Sequence, residues 1–312
     1  MALEIKRAMR RALPMQLAFY GPSGSGKTFS ALKFAAGILG PNEKVVIIDT
    51  ERGRGSLYAD NKKILADLPG GYDVLELDAP YHPKRFIEAL DVCENAGYKV
   101  CLIDSASDSW DGPGGCTDIA EQNSGRWAPS KLANKRLMTR IQLSDMNIIC
   151  LLKAQDKTKI IDKKDSASGK QEYISLGMCP ICEKNFFYPL LLGFSVDPKT
   201  HVSTATKCDD NLLFLFGEPR LITKADGERL RAWNLSGTPL EDNEQLKKRS
   251  RVIAEEGMDT YKQFFAGLSK AQQKALAGPW HEENKFLAEQ ADKPADELTV
   301  GEQPDGTLVV SK

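Results

Sequence analysis

Gly21-Pro22-Ser23-Gly24-Ser25-Gly26-Lys27-Thr28 decides how this sequence folds, because it meets every fixed position of the pattern G-x-x-x-x-G-K-[ST]. Before it, Met15 to Tyr20 (MQLAFY) is a short apolar run. After it, Thr28 to Leu39 (TFSALKFAAGIL) spaces its apolar residues as a helix does. Strand, Gly-rich turn and helix N-terminus together make a phosphate cradle. The glycines let successive backbone N–H groups point inward, and the helix end adds partial positive charge. On this pattern Gly21 to Thr28, continued by Phe29, bind a nucleoside triphosphate. Lys27 reaches the β- and γ-phosphates, and the Thr28 hydroxyl ligates Mg²⁺.

The alternation continues outward from the loop. Lys44 to Asp49 (KVVIID), Tyr72 to Leu77 (YDVLEL), Lys99 to Asp104 (KVCLID) and Asn147 to Lys153 (NIICLLK) read as strands. Pro83 to Ala96 and Ala128 to Ser144 read as helices between them. Strands alternating with helices imply an α/β fold with a mostly parallel sheet covered on both faces. In such sheets ligands sit at the carboxyl ends of the strands. Asp104 ends KVCLID there and is the candidate to hold Mg²⁺ through a water, with Asp49 as a competitor at the end of its own strand. Glu51 follows KVVIID closely, where a carboxylate could orient an attacking water. Lys153 and Gln155 are two positions apart, so both face one way if the strand persists.

The rest of the chain is less specific. Gln155 to Ser175 is Lys-rich and poor in large apolar residues, which predicts a mobile surface loop or hairpin. Phe186 to Leu221 has short apolar runs broken by Asp-Pro and Gly, which predicts antiparallel strands extending the sheet. The core closes near Leu235. The expected domains are 1–235, a helical extension at 236–290 carrying two Glu/Lys-rich helical patterns, and a flexible tail at 291–312. With 41% hydrophobic and 27% charged residues the composition is that of an ordinary soluble globular protein. A net charge of −1 means that any attraction to nucleic acid must come from a local patch. Seven cysteines, an odd number and partly inside apolar runs, suit reduced thiols. With no secretory leader and no run approaching the ~20 apolar residues of a membrane span, a cytoplasmic chain without membrane contact is expected.

Strand, phosphate loop, helix, the element Ile48-Asp49-Thr50-Glu51 and the later Cys101 to Ser105 (CLIDS) resemble the RecA-core ATPases. The resemblance implies a RecA-like P-loop NTPase with a helical C-terminal extension, and ATP as the nucleotide. Glu51 would polarise the water that attacks the γ-phosphate, and Lys153 or Gln155 would sense that phosphate. A closer resemblance runs over roughly residues 10–235. Ile103 to Gly115 (IDSASDSWDGPGG), Leu151 to Lys157 (LLKAQDK), Pro180 to Leu192 (PICEKNFFYPLLL) and KCDDNLLFLF are similar to a group of bacteriophage RecA-core ATPases. Members of that group occur with single-strand annealing and recombination genes. This implies ATP hydrolysis in support of recombination, annealing or repair, in the host cytoplasm, with single-stranded DNA or a DNA-annealing protein as partner. It also implies a homo-oligomer, with Arg52, Arg54 and Lys184 as candidates for a residue supplied in trans.

If the core is RecA-like, the segment after Lys153 occupies a DNA-facing position and carries Lys157, Lys159, Lys163, Lys164 and Lys170. Its Asp156, Asp162, Asp165 and Glu172 favour instead a solvated loop. Trp110 and Trp127 could stack on bases or simply pack. Cys179, Cys182, His201 and Cys208 include one C-x-x-C, but their spacing matches no familiar zinc pattern, and a non-metal reading is favoured over zinc. Two alternatives stay open: a hexameric helicase or packaging motor, and a nucleotide-dependent protein-interaction switch that never touches DNA.

Overall fold

The computed structural model describes residues 10–161, 172–236, 243–268, 270–292, 299–302 and 308–311. The chain divides into two compact units, one of Leu13–Ser236 and one of Met1–Ala12 with Gly237–Lys312.

In the larger unit the apolar runs become strands and the 3.6-period segments become helices. In chain order these are β1 (Gln16–Gly21), α1 (Lys27–Ile38), β2 (Val45–Asp49), α2 (Lys62–Asp67), β3 (Asp73–Glu76), α3 (Pro83–Asn95) and β4 (Val100–Asp104). Then follow α4 (Asp108–Asp111), α5 (Cys116–Gln122), α6 (Trp127–Gln142), β5 (Asn147–Ile161), β6 (Glu172–Pro180), β7 (Leu192–Val196), β8 (Ser203–Cys208), α7 (Leu213–Phe216) and α8 (Lys224–Leu235). The strands lie in the order β3-β2-β4-β5-β1-β7-β8. All neighbours from β3 to β7 are parallel, and β8 turns back antiparallel on β7. This is the α/β architecture with a mostly parallel central sheet that the alternation predicts. The register puts Asp49 beside Asp104 and Gly21 beside Lys153, so the candidate site residues lie along one edge.

Burial explains why the strands read as unbroken apolar runs. Leu17, Phe19, Ile47, Leu102 and Ile149 pack on one face with Ala31, Leu32 and Phe34 of α1 and Leu230 of α8. Ala18, Val46, Ile48, Cys101, Ile103 and Cys150 pack on the other with Phe86 and Leu90 of α3 and Leu137 and Ile141 of α6. Each large side chain taken from water contributes about 1.5–3 kcal/mol, and a strand used on both faces has no polar side to show. α1 crosses α8 closely enough that a Cβ on Gly37 would lie 2.0 Å from Lys224 O, and one on Gly227 would lie 2.1 Å from Phe34 O.

Of the loop or hairpin expected over Gln155 to Ser175, the described residues form the hairpin, and the element bounds around it differ from expectation in three places. β5 does not stop at Lys153: from Ala154 to Ile161 it leaves the parallel sheet and pairs antiparallel with β6 as a hairpin. Phe186 to Leu221 yields one parallel strand, β7, as well as antiparallel β8, and its DDNLLFLF stretch is helical. There Asp209 accepts the Asn211 N–H (2.9 Å), an Asx cap that starts a 3-10 turn at Asp210–Leu212 leading into α7.

The smaller unit contains α9 (Asn243–Ala254), α10 (Met258–Gly267), α11 (Lys270–Leu276) and α12 (Pro279–Ala291), where the sequence pattern predicts two helices. Gly257, at φ 110°, separates α9 from α10, and Gly278, at φ 87° ahead of Pro279, separates α11 from α12. Ala254, Tyr261 and Ala288 form its buried centre. Thr299–Glu302 (β9) and Leu308–Ser311 (β10) pair antiparallel. Among the described residues no helix is long and apolar enough to cross a membrane.

Candidate functional site

The β1–α1 turn curls as its glycines allow. Gly26 sits at φ 88° ahead of Lys27, a conformation that suits glycine alone. Ser25 N donates to Pro22 O (3.2 Å), and the Lys27 ammonium donates to the same carbonyl (3.0 Å). Ser25 Oγ is buried with no hydrogen-bond partner among the described residues.

One cavity of about 860 Å³ opens over this turn. Ser23, Gly24, Gly26, Lys27, Thr28 and Phe29 form its floor, with Asp104, Glu51 and Lys153 on its walls. Leu57, Tyr58, Leu221 and Ile222 add an apolar wall suited to a flat heterocycle. Burial lowers Lys27 below the usual lysine range, against the pull of Asp104 and Glu51.

The Thr28 hydroxyl donates to Asp104 Oδ2 (2.7 Å), joining the helix start to the end of β4. Burial is the main force that pushes the Asp104 carboxyl up to about 6; the Thr28 bond and Lys27 oppose it, while Glu51 and Asp49 add to it. A hydroxyl and a buried carboxylate in contact are hard oxygen donors, a set whose chemistry fits Mg²⁺. Among the described residues no group of three or more His, Cys, Asp or Glu could hold a metal ion. Two protein ligands suit an ion that completes its shell with water and phosphate oxygens. Asp49, the competitor, is occupied elsewhere: its carboxylate accepts the N–H groups of Glu51 (2.7 Å) and Gly55 (2.9 Å) and shapes the turn after β2.

That turn carries Glu51 into the cavity. Its Oε2 pairs with Arg54 (3.1 Å) and its Oε1 with Lys153 Nζ (3.5 Å). Lys153 bonds Asp108 Oδ1 more closely (2.7 Å). Burial alone would lower Lys153, but the Asp108 bond and charge, with Glu51, raise it. Gln155 is exposed, opposite Cys179, and is not among the residues lining the cavity. Beyond Lys153 the strand pairs with β6 and no longer follows the sheet edge.

Lys157 is exposed on the β5–β6 hairpin and Lys159 lies on the same strand. Lys163, Lys164 and Lys170 fall outside the described residues. On the partner strand β6, Tyr173, Ile174 and Leu176 are exposed. Trp110 and Trp127 stack on each other, centroids 5.6 Å apart. Of the trans candidates, Arg54 pairs with Glu51 of its own chain. Arg52 stands at φ 54° in the same turn.

Sequence reading missed three groups here. His201, at φ 57° in the β7–β8 turn, donates from Nδ1 to Ser25 O (2.9 Å), and its ring would lie 3.2 Å from a Cβ on Gly26. Asp108 and Thr50 bond each other (2.6 Å) behind Lys153. Thr50 lies inside IDTE, Asp108 inside IDSASDSWDGPGG and His201 among the residues weighed for zinc, but no spacing assigns them these contacts, which the fold makes.

A known family, described as AAA domain, matches residues 13–176. The comparison with curated proteins gave no match. Among solved structures, the KaiC-like protein PH0186 from the hyperthermophilic archaeon Pyrococcus horikoshii OT3 is 14% identical, covers 65% of this chain and 89% of its own, and has a TM-score of 0.35. The RadB recombinase is 18% identical, covers 64% of this chain and 83% of its own, and has a TM-score of 0.32. At scores this low neither likeness says what this chain does. The family match spans more than half of the sequence and takes in the phosphate loop, Glu51, Asp104 and Lys153, and the chain belongs to the AAA domain family.

Proposed function

We propose that this protein binds MgATP in the cavity over Gly21–Thr28 and hydrolyses it to ADP and phosphate. The observation that carries this is the meeting of Lys27, Thr28, Asp104 and Glu51 around one cavity. Backbone N–H groups of the loop and the Lys27 ammonium hold the β- and γ-phosphates. Thr28 and Asp104 are the residues that would hold Mg²⁺, which neutralises charge on the phosphate oxygens. Glu51 accepts a hydrogen bond from a water and aims it at the γ-phosphorus in line with the leaving oxygen of ADP. The water oxygen bonds phosphorus as the bond to that leaving oxygen breaks, and the water proton passes to the solvent or a phosphate oxygen. Lys153 registers the γ-phosphate in this reading, supported by its contact with Glu51 in the cavity lining; Gln155, outside that lining, fits the role less well.

Hydrolysis then serves DNA recombination, single-strand annealing or repair, with the β5–β6 hairpin as the DNA-facing element and a homo-oligomer as the working form. The resemblance to phage recombination ATPases supports this, as does the hairpin's attachment at Lys153, where Ile181 N donates to Lys153 O (2.8 Å). Adenosine triphosphatase activity with and without single-stranded DNA tests both halves. Wild-type turnover raised by DNA, and abolished in Lys27→Ala and Glu51→Gln, is the expected result. Turnover indifferent to DNA removes the DNA role and leaves the protein-interaction switch in its place.

A further inference from the structure

Asp108 opens α4, one turn beyond Asp104, and is 8% exposed. Its Oδ1 accepts from Lys153 Nζ (2.7 Å) and its Oδ2 accepts from the Thr50 hydroxyl (2.6 Å). The Thr50 oxygen in turn accepts the Ser105 N–H (2.7 Å), and Thr50 precedes Glu51. One carboxylate therefore ties together the turn after β2, the segment after β4 and the middle of β5, the three places at or beside which Glu51, Asp104 and Lys153 stand.

The Lys153 ammonium is shared unequally, 2.7 Å from Asp108 and 3.5 Å from Glu51. At 2.7 Å the contact is a full charge-assisted hydrogen bond, whereas 3.5 Å is at the limit of one. Glu51 already has Arg54 on its other oxygen. A carboxylate gripped tightly by two cations is a poor acceptor for a water proton, because both cations stabilise its ionised form.

We propose that Asp108 is a positioning residue for hydrolysis: it holds the Lys153 ammonium off Glu51, which leaves Glu51 able to orient the attacking water. The role rests on the ATPase reading above. Without the Asp108 charge, Lys153 closes on Glu51 and the water loses its acceptor, while the phosphate loop and its affinity for nucleotide stay as they are.

The test is steady-state MgATP turnover and ATP affinity of the full chain as wild type, Asp108→Asn, Lys153→Met, the double variant, and Lys27→Ala. Asp108→Asn can still accept the Thr50 hydroxyl bond, and is expected to lower kcat roughly tenfold or more with KM and ATP affinity within about twofold. The double variant is expected to match Lys153→Met alone, since no ammonium remains to close on Glu51. Thr50→Val removes the other Asp108 contact and keeps the Lys153 pair; it is expected to lower Tm and to cost kcat clearly less than Asp108→Asn does. Wild-type kcat in Asp108→Asn, losses that multiply in the double variant, or a Thr50→Val loss equal to that of Asp108→Asn each overturn the proposal. Absence of wild-type turnover, or turnover retained in Lys27→Ala, instead refutes the ATPase reading and takes this proposal with it.

Discussion

Asp104 meets two opposed demands: the end of a fully buried strand disfavours its charge, and the cation site proposed for it requires that charge. Its carboxyl is raised from 3.8 to about 6, chiefly by burial, so ionised Asp104 costs the metal-free fold about 3 kcal/mol near neutral pH. A group whose folded pKa lies above its unfolded value loses its stabilising contribution as pH rises through the folded value. Asp104→Asn is therefore expected to raise the Tm of the metal-free protein at pH 7 by several degrees, roughly 2–4 °C per kcal/mol, while abolishing Mg²⁺-dependent turnover. Scanning calorimetry in a chelator from pH 4 to 8 checks it: the gap over wild type should open above pH ~4 and level off beyond pH ~7. A gap constant with pH would mean that shape, and not charge, is what the asparagine relieves. Asp104 and Glu51 can be picked out in the sequence because each stands at or just past the end of an apolar run. Asp108 and His201 cannot, because Asp108 meets Lys153 45 positions away and His201 meets Ser25 176 positions away. Lys153 and Gln155 look equivalent on a strand of period two, and only the departure of β5 from the sheet after Lys153 separates them.

Among the elements, α1 carries the loop residues Lys27 and Thr28 into the cavity, and α8 fixes α1 from behind. Their crossing has no room for a side chain at either glycine: the nearest obstacles are the backbone oxygens of Lys224 and Phe34, which cannot rotate aside. Gly227→Ala is thus expected to destabilise the larger unit by about 1–3 kcal/mol, and Gly37→Ala similarly. Gly70, with nothing within 4 Å of a Cβ, is the control, and Gly70→Ala should be nearly neutral. Amide exchange in α1 and α8, read with urea unfolding, distinguishes the cases. Unchanged protection in Gly227→Ala would show that the helices can move apart at little cost. The parallel strands are legible because burial on both faces leaves only apolar residues in them. The helical turn at Asp210–Phe216 is not, because LLFLF alone reads equally as strand, and the cap from Asp209 decides it. Nor does composition tell four helices from two in the smaller unit; two of the three breaks depend on Gly257 and Gly278.

At the scale of the whole molecule, a net charge of −1 gives the chain no general attraction for nucleic acid. If single-stranded DNA is the partner, its phosphates must find local cations. The β5–β6 hairpin is the element that joins basic residues to Lys153, the proposed sensor, since Lys157 and Lys159 follow it on the same strand. Each lysine that neutralises a phosphate of single-stranded DNA adds about 0.7 to the steepness of log K against log salt. Lys157→Ala with Lys159→Ala is therefore expected to make that slope shallower by roughly 1.4 and to weaken binding with little regard to sequence. Exposed Tyr173 offers a stacking face in the same hairpin, and its replacement by Ala should weaken binding by about 1–3 kcal/mol without moving the slope. Fluorescence anisotropy with a labelled oligonucleotide across a salt series separates these effects, because charge changes the gradient and stacking changes only the intercept. A steep gradient left intact by the lysine pair would assign the cationic surface to some other part of the chain. A protein that binds no oligonucleotide at low salt would leave the hairpin's exposed Tyr173, Ile174 and Leu176 as a surface for another protein, the arrangement a nucleotide-dependent interaction switch requires.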